Sequence, residues 1–83
     1  MRAEELLPDD VNQGDFNGVT VRKGSVGAFL ANARVLADPA ASTEARAAAE
    51  RDIIELLPAL RALGLFDAFA IRDDALRAFV ESH

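Results

Sequence analysis

The chain has no cysteine, one histidine and one lysine among its 83 residues, and each shortage removes a class of chemistry. Without cysteine there are neither disulfides nor thiolate zinc sites, the two devices that most often hold small domains together, so stability must come from packing. The single histidine, His83, is the last residue of the sequence. No Ser, His and Asp set can be assembled without it, and no imidazole ligand stands in the body of the chain. Basic residues number 9 against 14 acidic ones, for a net charge of −5. That balance repels phosphate backbones and speaks against duplex nucleic acid as a partner. No apolar run approaches the roughly 18 residues of a membrane span, and residues 1–15 have neither the basic start nor the apolar run of a signal peptide. The expectation is a cytoplasmic protein with no membrane partner.

What is present is apolar bulk in small pieces. Hydrophobic residues make up 51% of the chain, too many for a disordered segment, but 17 of them are alanine, which buries little area apiece. The larger core stock is Leu, Ile, Val and five Phe. A domain of this length removes only about 60 to 65% of its unfolded surface from water on folding. Further burial against a partner would therefore count, and a homodimer is expected. Eight of the nine basic residues are arginine, a skew read here as compositional bias and not as arginine chemistry.

Residues 1–14 begin with Ala3 to Leu7, enough for a helical turn, and continue through Pro8-Asp9-Asp10; they read as an acidic, partly mobile arm ahead of a single domain over 15–83. Asn17-Gly18 supplies the positive φ angles of a tight turn, and Val19-Thr20-Val21 is strand-prone, which predicts a short hairpin. A helix is predicted over 25–37, with Val26, Phe29, Leu30, Ala33, Leu36 and Ala37 at helical spacing, ended by Asp38-Pro39. Ser42 or Thr43 opens the next helix. Its stripe of Ala45, Ala49, Ile53, Leu56, Leu60 and Leu63 passes straight through Pro58, where a kink or short break near Leu57 is expected, with Gly64 as the terminal cap. The run from Leu65 to Ile71 is core as helical turn or buried strand, and Asp73 caps a last helix whose inner face is Leu76, Phe79 and Val80. The predicted class is thus α+β, mostly α: a short N-terminal β-hairpin followed by three or four packed helices.

One junction carries a chemical signal. Arg22-Lys23-Gly24-Ser25-Val26-Gly27 sets two cations side by side where an extended stretch gives way to a helix. Ser25 could cap that helix, Gly24 would let backbone N–H groups approach a ligand, and the positive dipole end suits a phosphate or a partner's carboxylate. A Walker loop is excluded, since glycine separates Lys23 from Ser25. The serine of an acyl carrier protein is excluded as well, because that family places aspartate before it and leucine after it. Adjacent carboxylates at Glu4-Glu5, Asp9-Asp10 and Asp73-Asp74 diverge on a helix and make no acid/base pair.

Among the aromatics, Phe29, Phe66, Phe69 and Phe79 lie in apolar stretches that read as core. Phe16 beside the Asn-Gly turn has few local neighbours and, with Val19 and Val21, is a candidate for self-association. These features predict a non-enzymatic, cytoplasmic protein-interaction or regulatory module that self-associates and needs no cofactor or metal. The alternative is a sensor that binds an anionic metabolite at Arg22, Lys23, Gly24 and Ser25.

Overall fold

The computed structural model describes residues 13–16, 18–22 and 24–83; most of the predicted N-terminal arm lies outside them. Among the described residues there are four helices: α1 (Ser25–Ala37), α2 (Thr43–Leu63), α3 (Leu65–Ala68) and α4 (Asp74–Glu81). Ahead of them, two extended segments of 4 residues each, Gln13–Phe16 and Val19–Arg22, pair antiparallel from Gln13 opposite Arg22 to Phe16 opposite Val19.

The α+β expectation is corrected by this arrangement. The fold is a helical one, and neither the α+β class nor an N-terminal β-hairpin standing as an element of its own describes it. Helices of 13, 21, 4 and 8 residues build the domain, while the paired segments form no β layer. The physical reason is size. A two-stranded ribbon of this length is marginal in water, and in 18–22 it is Val21, 2% exposed, that reaches the interior.

Helix α2 is the spine. Ser42 caps it, its Oγ accepting from the Ala45 N–H at 3.0 Å, and Gly64 ends it in the left-handed region at φ 78, donating to the Arg61 and Leu60 carbonyls. No break occurs near Leu57: the helix runs through Pro58. Proline removes the helical donor of the Ile54 carbonyl, but Pro58 and Ile54 both sit on the exposed side, where water can take that place. The buried stripe is Ala49, Ile53, Leu57 and Leu60; Leu56, expected on it, is half-buried beside it.

Phe29 from α1, Ile53, Leu57 and Leu60 from α2 and Val80 from α4 form the buried cluster, with Leu36, Leu65, Phe66, Ile71, Leu76 and Phe79 around it. Phe29 and Phe66 meet edge to face at 5.7 Å between ring centroids. Leu65–Ala68 is one helical turn, after which the backbone extends at Phe69 (φ −125, ψ 138). Asp73 then caps α4, its Oδ2 accepting from the Leu76 N–H at 2.8 Å.

Arginines fasten the ends of these helices, which corrects their reading as mere bias. Arg46 donates from Nη1 to the Leu36 carbonyl at 3.0 Å, from Nη2 to the Asp38 carbonyl and from Nε to the Ala41 carbonyl at 3.4 Å. It thereby satisfies a last-turn carbonyl of α1 and holds the 38–41 connection against α2, with a cation at the negative dipole end. Arg61 reaches the Val80 carbonyl at 3.1 Å and the His83 carbonyl at 3.3 Å, and Arg77 reaches the Ile71 carbonyl at 3.1 Å.

Candidate contact surface

Of the anion site predicted at the start of α1, Gly24 and Ser25 fall among the described residues. The N-cap is Gly24, in the left-handed region at φ 84, and no side chain caps the first turn. Ser25 is instead the first helical residue and is buried at 7% exposure, so its expected capping role is corrected. Gly24 is there for its positive φ, which other residues adopt at a cost. Its carbonyl takes the Ala28 N–H at 2.7 Å. Arg22 belongs to the second extended segment; its side chain, and Lys23 altogether, lie outside the described residues.

The proposed self-association trio fares similarly. Val21 is spent inside the chain's own interior and is not available to a second subunit. Val19 is half-buried, and the side chain of Phe16 lies outside the described residues. At the other end of the sequence, His83 is tied to its own helix. Its Nδ1–H donates to the Phe79 carbonyl at 2.8 Å, and its ring lies 4.6 Å from that of Phe79. Among the described residues no three His, Asp or Glu side chains come together as metal ligands would, and no helix is long and apolar enough to cross a membrane.

The surface that stands out is α1 itself. Arg34 is its one charged side chain, yet Val26, Gly27, Ala28, Leu30, Ala31 and Ala37 all face solvent. A helix apolar around most of its circumference is ordinarily buried on most sides. Here one side is. Phe29 points into the core, while Val26 at 37% and Leu30 at 50% exposure stand outside.

Beside them is Phe69, read from sequence as core and found 68% exposed, the most exposed large apolar residue among the described residues. Its predicted burial is thus overturned. The chain extends directly after the one-turn α3, and that extension turns Phe69 outward while Ile71 faces in. Val26, Leu30, Phe66, Phe69 and Ile71 line a groove of about 410 Å³ between α1 and the 65–72 segment. It continues past Leu30 and Leu76 into a second hollow of about 710 Å³ between α1 and α4, edged by Arg34, Arg46 and Glu50.

Charge is distributed to match. Between Asp15 and Asp38 the sequence holds no acidic residue, so α1 is an acid-free face on an acidic protein. Sequence reasoning missed this surface because it grouped Val26, Phe29, Leu30, Ala33, Leu36 and Ala37 by helical spacing without separating inner from outer positions. The near-absence of charge around the whole helix was the signal that could have found it.

The chain matches no protein-family model, no curated protein and no solved structure.

Proposed function

We propose that the chain is a small, non-enzymatic regulatory module that acts by protein contact, and that α1 with the 69–72 segment is its contact face. The observation that carries the reading is a helix with one charged residue and six exposed apolar or glycine positions, flanked by an outward-facing Phe69 and an open apolar groove. Grooves of this kind between helices are where amphipathic partners seat their apolar side chains, and exposed aliphatic and aromatic anchors with little charge resemble the centre of an interface more than ordinary surface. A cytoplasmic setting belongs to the same reading, consistent with a cysteine-free chain. The anion-sensor reading keeps its support in the sequence, two cations ahead of a helix start.

Photo-cross-linking tests the reading. A photoreactive side chain placed at Leu30 or at Phe69 should form discrete protein adducts in cells, whereas the same group at Glu55, exposed on α2, should not. Equal labelling from all three positions would remove the contact face.

A further inference from the structure

We infer that α4 is a latch: together with the 70–73 connection it leaves the α1–α2 pair as one unit while those two helices stay folded, and Arg61 is the catch that holds it closed, whatever the contact face binds.

Helix α4 cannot stand alone. Its 8 residues fall short of the roughly 12 to 15 that an isolated helix needs in water, so it is helical only while docked, and docking and folding are one step. The docking is narrow. Val80 is the one buried residue of α4, with Leu76 and Phe79 half-buried against the same cluster. Open hollows flank it, one of about 710 Å³ walled by Ala75, Leu76 and Phe79 on the α1 side, the other of about 440 Å³ walled by Arg77, Val80 and Glu81. Side chains that face a void have no partner atoms there and forfeit those contacts.

The polar ties divide in the same way. Asp73 Oδ2 accepts from the Leu76 N–H, Arg77 donates to the Ile71 carbonyl, and Ser82 Oγ donates to the Phe79 carbonyl at 2.9 Å, all within the unit. Among the described residues, the side-chain hydrogen bonds that cross from this unit to the rest of the chain are those of Arg61 alone, to the Val80 and His83 carbonyls. The connection adds no hold. Among the described residues the N–H groups of Ala70, Ile71 and Arg72 make no hydrogen bond, and Ala70, Arg72 and Asp73 are exposed.

What stays behind on release keeps its own core. Phe29, Ile53, Leu57 and Leu60 all come from α1 and α2, and Phe66 of α3 still meets Phe29. Opening the latch therefore exposes less apolar surface than unfolding the whole chain, and its free energy lies below that of global unfolding.

Native-state hydrogen exchange in urea reads the two openings separately. The amides of Arg77 to Ser82 should share one opening, at least about tenfold more frequent than that of the slowest α2 amides and with a weaker urea dependence, because the slope scales with the surface exposed. Ser42→Ala tells the openings apart. The Ser42 cap is a bond within α2 and survives when α4 leaves, so its loss should speed the slowest α2 amides about 2- to 30-fold and leave those of α4 unchanged. Arg61→Ala removes the catch and should speed every α4 amide by a common factor of about 2 to 10. Exchange of α4 in step with α2, in the parent or in Ser42→Ala, would overturn the latch. A graded rise toward Ser82 would show fraying from one end and overturn the unit. Rates in α4 indifferent to Arg61→Ala would overturn the catch.

Discussion

Helix α2 turns Glu44, Glu50, Arg51, Asp52 and Glu55 to water and keeps Ala49, Ile53, Leu57 and Leu60 inside, whereas α1, packed against it, turns Val26, Leu30, Ala31 and Ala37 to water. Both helices contribute to one core, but α2 is the better matched to its surroundings, since Ile54 is the one large apolar residue it exposes among its charges. Its length lets a single amphipathic helix serve every neighbour: α1 and α3 rest on it, as does the second extended segment. Helix α1 gives that core Phe29 and, in part, Leu36, while Val26, Ala28, Leu30, Ala31 and Ala37 are left exposed. Three of the five buried core residues lie on α2 and one on α1, so the outer face of α1 is little used by the fold. A helix placed this way can change its outer face with little effect on folding, and its inner face with a large one.

The comparison breaks first at Leu57, 1% exposed at the centre of the stripe. Leu57→Ala should cost about 2 to 5 kcal/mol in urea denaturation, with Leu56→Ala, half-buried one position along, costing clearly less. Equal losses would mean that the α2 stripe is turned by one residue from the face described.

Next in size is the joint between the two helices. Arg46 is half-buried and satisfies carbonyls at Leu36, Asp38 and Ala41. Arg46→Ala leaves the Leu36 carbonyl without its donor and should cost about 1 to 3 kcal/mol. Arg46→Lys should recover only part of that, because an ammonium cannot reproduce the planar fork. Hydrogen exchange should then rise in the last turn of α1 and not in the middle of α2. A uniform rise along both helices would show that the arginine supports the whole core and not the connection.

How much of this was legible follows from where the local rules decide. The helix ends at Ser42, Gly64 and Asp73 were readable because each depends on one side chain or one φ angle that sequence names directly. The passage through Pro58 was not, since it depends on which side of the helix faces water, a tertiary fact. The α+β class failed because a turn signal and a Val-Thr-Val run fix a local conformation without making a layer. The expected cap at Ser25 was misread by one position: Gly24 is the N-cap and serine lies inside the helix. The exposed apolar face of α1 was hidden because apolar spacing alone cannot separate residues that fill a core from residues that cover it. Phe29 and Leu30 are adjacent in sequence and differ in exposure from 4% to 50%.

The smallest effect sharpens the comparison most directly, because it asks whether the outer side of α1 is open in solution. Gly27 lies in the first turn of α1 with ordinary helical backbone and nothing within 4 Å of an added methyl, whereas Gly64 ends α2 at φ 78 with Asp67 Oδ2 at 3.5 Å. Gly27→Ala should therefore stabilise the chain by at most about 0.5 to 1 kcal/mol, the cost of glycine in a helix interior and the upper bound for a first-turn position. Gly64→Ala should destabilise by about 1 to 2 kcal/mol, since a side chain is strained in the left-handed region. Both are read from urea denaturation at low micromolar protein, where association contributes least. A loss at Gly27 instead of a gain would mean that the space outside α1 is already filled by the chain itself, and the contrast between a matched α2 and an unmatched α1 would fall with it.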